Sequence, residues 1–232
     1  MKGITVIISA YLSRTEDYIK LLQSIKFSKF YNLILINDNN FLKVDGYINN
    51  EKNLGKYYNV ISNAKKCNSK YFLTIDPDDI LQGNICWKKI ENLSKIVLNK
   101  NDSIIINSFY FTNGKKTKFI KKPRHIFNPN TIYNVNSIEK KDIEFQYINY
   151  MEDLAILLKC IHSDATFSRE NIPFYKYSYG LGISADSNKK KYKNELLEIK
   201  KIYNEKTFKI KNIFLFYIFF TRIMRLKILL KK

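Results

Sequence analysis

Asp76-Pro77-Asp78-Asp79 follows the apolar run Tyr71-Phe72-Leu73-Thr74-Ile75, so three carboxylates stand where a buried strand would end. In an open α/β sheet, the carboxyl ends of the strands are where ligand sites are built. Carboxylates crowded within a few ångströms repel and raise one another's pKa, and a divalent cation removes that repulsion. Hard oxygen ligands of this kind suit magnesium or manganese, whose usual task is to hold a phosphorylated substrate. The same residue types also make a solvated Asp/Pro turn through local hydrogen bonds, and this segment alone leaves both readings open.

Two other acidic positions join it. Asp38 lies in the polar cluster Asn37-Asp38-Asn39-Asn40 that ends the run Tyr31 to Ile36, which puts a second acid at a strand's carboxyl end. Glu152 and Asp153 open an amphipathic segment, Met151 to Ile161, with Leu154, Leu157, Leu158 and Ile161 on its apolar side. Acids in a first helical turn also cap free N–H groups and gain from the macrodipole, so helix capping is an alternative for this pair. Coming after the acidic strand end, they are candidates to face the same crevice.

The elements that must hold these residues alternate. Ile4 to Ala10 reads as a strand and Thr15 to Lys26 as a helix, capped by Ser13 or Thr15, with Ile19, Leu22 and Ile25 inward. Gly55 to Cys67 reads as a helix with Val60, Ile61 and Ala64 inward, feeding the strand that ends at Asp76. That β-α-β-α-β order predicts an α/β fold with a mostly parallel sheet and helices on its faces. Further along, Trp87 to Leu98 reads as a helix and Ser103 to Phe111 as one strand, with Asn113-Gly114 turning it back into Thr117 to Ile120. Pro123 to Val135, which contains His125, lacks periodicity and reads as a mobile loop; Pro173 to Tyr177 reads as an aromatic strand.

The 232 residues suit one sizeable domain, and 45% hydrophobic with 15% aromatic residues exclude a disordered chain. Cys67, Cys86 and Cys160 have no paired spacing and read as reduced, buried thiols. Ile4 to Ala10 reads as a strand rather than a signal peptide, and no run reaches the roughly 18 apolar residues of a membrane span. The net charge of +19 is uneven: residues 188–232 hold 14 Lys/Arg against three Glu, a net +11. No nucleic-acid-reading signature accompanies it, so nucleic acid is not the expected partner. Instead the charge flanks Ile213 to Phe220, and on a helix Lys211, Arg222 and Arg225 share a side that Met224 and Ile228 do not. We therefore expect residues 1–187 to form the globular domain and 188–232 a basic amphipathic helical segment on an anionic membrane surface. A helix packed on the core or on a second subunit, in a homo-oligomer, is the alternative.

In order, these segments resemble the family-2 glycosyltransferases, enzymes of the GT-A fold that use nucleotide-diphosphate sugars, from Ile4 to about Ser184. Val6 to Tyr11 resembles the opening strand, Leu35 to Asn39 the nucleotide-binding Asp, and Asn53-Leu54-Gly55 the lead into the next helix. Tyr71 to Asp79 resembles the D-x-D element, Met151-Glu152-Asp153 the E-D element, and Tyr175 and Tyr177 through Ile183-Ser184 the closing strand and loop. The resemblance implies Mn2+ or Mg2+ on Asp78, with Asp76 on the ion or the ribose and Asp79 in support. It further implies Asp38 accepting from uracil or ribose, Tyr11 stacking on the base, Asp153 as catalytic base and Glu152 orienting it or contacting the acceptor. The implied partners are a UDP-sugar donor and a glycan or lipid-linked acceptor, at the cytoplasmic face of the plasma membrane, in capsule or lipopolysaccharide synthesis. Ser9-Ala10-Tyr11-Leu12 lacks the family's usual Pro and Asn, and Ser178 stands where an Arg often reaches the diphosphate, with Lys176, Lys56 or a Lys of the C-terminal tail as substitutes.

Two other classes fit part of the pattern. A nucleotidyltransferase would share the acidic site but needs a Gly-rich, basic loop after the first strand, where Leu12-Ser13-Arg14-Thr15 has no glycine. A non-catalytic basic protein binding membranes or nucleic acid would explain the charge and leave the ordered acids without a purpose.

Overall fold

The computed structural model describes residues 2–112, 116–121, 130–138, 152–160 and 165–178. The run from Lys2 to Ala10 forms β1, and all of it after Lys2 is buried. Such a continuous apolar run, without alternation, belongs to a strand covered on both faces. β2 (Tyr31–Asn37) and β4 (Ser69–Thr74) lie on either side of β1, both parallel to it, and the short β3 (Ile48–Asn49) adds to β2. Between them run α1 (Thr15–Ser24) and α2 (Lys56–Ala64), the crossovers that parallel pairing requires.

Beyond β4 the sheet changes direction. The seven-stranded order is β3-β2-β1-β4-β8-β5-β9, where β8 (Thr131–Asn134) runs antiparallel to both β4 and β5 (Ile104–Asn107), and β9 (Phe167–Glu170) is parallel to β5. The result is the mixed, mostly parallel sheet flanked by helices that the alternating pattern implies. β8 corrects the reading of Pro123 to Val135 as loop throughout. Its four residues are all buried at the centre of the sheet, so they show no polar alternation to announce a strand. His125 and most of that segment lie outside the described residues.

The stretch read as one strand from Ser103 is two. Asn107 turns its side chain onto the backbone of Ile172, accepting from its N–H at 3.0 Å and donating to its carbonyl at 2.5 Å, while Ser108 N donates to Glu170 O at 3.0 Å. The chain leaves the main sheet there. β6 (Phe109–Thr112) starts a second sheet, β10-β6-β7, with β7 (Thr117–Ile120) antiparallel and β10 (Lys176–Ser178) parallel to β6. The Asn113-Gly114 turn lies outside the described residues; the antiparallel pairing it predicts is present.

Helix α4 (Trp87–Val97) buries Trp87, Ile90, Leu93, Ser94 and Val97, one face at helical spacing, against β1 and β2. Gly3 is the closest approach: a Cβ there would lie 1.9 Å from the carbonyl oxygen of Ser94. In α1 Tyr18 and Leu21 are buried; of the expected inward residues Ile25, just past the helix, is buried and Leu22 packs against the core, while Ile19 faces solvent. No side chain caps α1 at Arg14. All three cysteines are free, and of them Cys86 is exposed, correcting its reading as buried. Among the described residues no helix is long and apolar enough to cross a membrane. Residues 188–232 lie outside the described residues, as does the boundary placed before them.

Candidate active site

β4 delivers the acidic turn. Asp76 stands at the N-cap position of α3 (Pro77–Leu81) without a side-chain capping bond, and Pro77 occupies the first helical position, where its missing N–H costs nothing. Asp78 and Asp79 fall in that first turn, Ile80 packs inward, and Gly83, with φ +69°, ends the motif in a conformation that favours glycine. One carboxylate oxygen from each of Asp76, Asp78 and Asp79 lies within 4.8 Å of the others. Burial, then the charge of Asp76, raises the pKa of Asp78. Burial, followed by Asp76 and Asp78, pushes Asp79 up to about 7, although Asn84 Nδ2 and the Tyr175 hydroxyl each donate to its Oδ1 at 3.2 Å. Three carboxylates brought this close together are the donor set a divalent cation satisfies. The three acids therefore fit the metal that their residue types suggest.

A second arm closes on the turn from α2 and α5 (Glu152–Cys160). Lys56, the first residue of α2, bonds through Nζ to Asp76 Oδ1 and, at 3.1 Å, to Glu152 Oε1, with only 16% of its side chain exposed. Burial alone would lower the Lys56 pKa; the charges of Asp76 and Glu152 outweigh it and hold the ammonium protonated. For Glu152, burial raises the pKa, Lys56 opposes, and Asp76 and Asp153 add to the rise. Glu152 Oε2 is buried and accepts no hydrogen bond among the described residues. Asp153, partly buried, is the next residue in the same helical turn. The D-x-D turn and the E-D pair are thus parts of one site, joined by a lysine.

Asp38, at the end of β2, is tied to the segment that leads into α2. It is 3% exposed, and its carboxylate accepts from Asn50 Nδ2, Leu54 N and Gly55 N, each at 2.9 Å. Asn50 also donates to Asn59 Oδ1 and Asn59 to Ser9 Oγ, so a buried polar chain ties β1, β2 and α2 together beneath the crevice. Gly55, at φ +77°, makes the bend from which Lys56 enters α2. Tyr11 stands just past β1 and is 57% exposed, leaving its ring open to a ligand. Arg14, in the loop after β1, forms two 3.0 Å hydrogen bonds with Asp17 and so serves its own helix.

In the sequence Lys56 stands out only as a substitute diphosphate contact, and no local pattern marks Asn84 or the Tyr175 hydroxyl as partners of the acidic turn. The aromatic run Pro173 to Tyr177 signalled a strand; nothing in it signalled that a hydroxyl meets Asp79.

The fold is similar to that of S. aureus TarS. A structure of TarS 1–349 is 16% identical with a TM-score of 0.54, covering 85% of this chain and 65% of that one. TarS 1–349 in complex with UDP-GlcNAc gives 16% identity and a TM-score of 0.55, covering 85% and 66%. A longer TarS structure gives 16% and 0.54, covering 85% of this chain and 39% of that one. The chain spans just under two thirds of the two shorter proteins and well under half of the longer. No protein-family model and no curated protein sequence matches it. At this identity the likeness shows the fold, the Rossmann-like arrangement of the GT-A type.

Proposed function

We propose that this chain is an inverting, metal-dependent glycosyltransferase, of the family-2 kind, that moves one hexosyl or N-acetylhexosaminyl group from a UDP-sugar to a glycan acceptor. The observation that carries this reading is the Lys56 ammonium shared by Asp76 and Glu152, which makes one site of the donor-side acids and the pair that holds the base. The shared fold with TarS, known also with UDP-GlcNAc, supports a nucleotide-sugar donor.

Asp78 and Asp79, with Asp76 beside them, are the residues to hold Mn2+ or Mg2+. Such an ion, when bound, neutralises the negative charge that grows on a departing diphosphate. Tyr11 stacks on the nucleobase, and Asp38 acts through the loop it anchors at Leu54 and Gly55. Asp153 takes the proton of the acceptor hydroxyl; that oxygen bonds to the anomeric carbon from the face opposite the diphosphate. The carbon–oxygen bond to the diphosphate breaks as UDP leaves with its electron pair, inverting the centre. Glu152, held by Lys56, orients the neighbouring base.

The basic segment 188–232 brings the enzyme to a lipid-linked acceptor at the cytoplasmic leaflet, the arrangement of a bacterial surface-polysaccharide pathway such as capsule or lipopolysaccharide synthesis. Asp153→Asn tests the core of the proposal. Transfer from UDP-sugars should fall by at least about a hundredfold, within the usual range for a lost general base, while UDP binding by calorimetry stays intact. Undiminished transfer in that variant sinks the assignment.

A further inference from the structure

The three acids of the turn are not equivalent, because one of them already has a cation. Lys56 Nζ sits on Asp76 and reaches Glu152 Oε1 at 3.1 Å, whereas no basic side chain is paired with Asp78 or Asp79 among the described residues. The placement of Lys56 is built rather than incidental. Asp38 fixes the N–H groups of Leu54 and Gly55 at 2.9 Å, and the positive φ of Gly55 then turns the chain so that α2 starts with this lysine at the crevice.

Resting on the glycosyltransferase reading, we propose that Lys56 is the resident counter-cation of the donor site. It engages Asp76 and Glu152, leaves Asp78 and Asp79 as the ligands of the divalent ion, and keeps metal affinity low until a nucleotide diphosphate arrives. An ammonium bonded to one member of a carboxylate cluster repels a second cation entering the same cluster, and the repulsion is strong where water is largely excluded. A diphosphate restores the balance by adding negative oxygens of its own. Metal binding is thereby coupled to donor binding, and the empty site does not fill with ions.

The test is a titration of full-length protein with Mn2+, following free Mn2+ by electron paramagnetic resonance, with and without UDP. Lys56→Met should bind Mn2+ tighter than wild type without nucleotide, on the order of tenfold, the change that one pKa-unit equivalent of electrostatic energy produces. The enhancement by UDP should shrink correspondingly. Lys56→Arg, which keeps the charge, should behave like wild type. A purely structural role predicts the opposite sign, because loosening the site weakens every ligand. Lys56→Gln, a neutral residue that can still hydrogen-bond a carboxylate, serves if the Met variant does not fold. Affinity that is unchanged or lower in the folded neutral variant overturns the inference while leaving the enzyme reading in place. Absence of Mn2+ binding in wild type and variants alike, even with UDP, overturns the metal-dependent reading and the inference with it.

Discussion

Asp79 shows what the acidic turn costs and how that cost can be measured. With its pKa pushed up to about 7 by burial and by Asp76 and Asp78, the folded protein holds a proton that an unfolded aspartate, near 3.9, has released. Between about pH 4 and 7 the folded state therefore binds more protons than the unfolded, so stability falls as pH rises through this window. Asp79→Asn removes the penalty while its Oδ1 can still accept from Asn84 and Tyr175. Its melting temperature should come closest to wild type near pH 4 and exceed it by several degrees at pH 8; calorimetry at both values decides. Adding Mn2+ together with UDP at pH 8 should stabilise wild type more than the variant, since bound ligand favours the folded state. The acids could be read from sequence because a strand end loaded with negative charge demands an explanation. Lys56 could not: it is one of 40 basic residues, and its partners lie 20 and 96 positions away. Tyr175 likewise meets Asp79 across 96 positions, a pairing made by the fold and not by any local pattern.

Among the elements, β1 holds the site together from below, and two substitutions probe its seams. Gly3→Ala places a methyl 1.9 Å from Ser94 O, backbone against backbone, so β1 and α4 must separate. That separation also disturbs the bond from Ile4 N to Ser94 Oγ, at 3.1 Å. Overpacking of this sort costs about 1–3 kcal/mol, and at about 2–4 °C per kcal/mol the loss is visible in a thermal melt. Asp38→Asn replaces one charged acceptor oxygen by an N–H₂ that opposes the N–H of Leu54 or of Gly55, the latter keeping Asn53 Oδ1 at 3.0 Å as its other acceptor. The expected loss is about 1.5–3 kcal/mol in urea unfolding, together with weaker UDP binding, because the same loop carries Lys56 to the crevice. Unaltered stability would show that the loop is held by other means. The parallel half of the sheet was readable from alternating apolar runs and helical stripes. The antiparallel half was not, because β8 is four buried residues without alternation and the break at Ser108 depends on Asn107 bonding to Ile172, 65 residues on.

For the whole molecule, the net charge is unevenly spread along the chain. Of the net +19, +11 lies in residues 188–232, leaving +8 for the 187 residues before them. A surface of that sort suits an enzyme whose acceptor is anchored in an anionic bilayer, and the proposal can be separated from catalysis. Ending the chain after Phe208 removes seven Lys/Arg and no acid, along with the apolar run Ile213 to Phe220. Each basic residue near an anionic membrane contributes about 1 kcal/mol, so three of the seven at the surface already make truncation worth on the order of a hundredfold in vesicle binding. Flotation with phosphatidylglycerol vesicles should show that loss, and neutral phosphatidylcholine should bind the full chain far less. Raising the salt should release the full chain, since exposed charges are screened beyond about 8 Å at physiological ionic strength. Replacing the seven basic residues by Gln while keeping the apolar run distinguishes charge from hydrophobic insertion: near-complete loss assigns the affinity to electrostatics. Transfer to a soluble acceptor should survive truncation, whereas transfer to a lipid-linked acceptor in vesicles should fall with binding. Equal flotation of the full and shortened chains would remove the membrane role from this segment and leave packing on the core or on a second copy as its task.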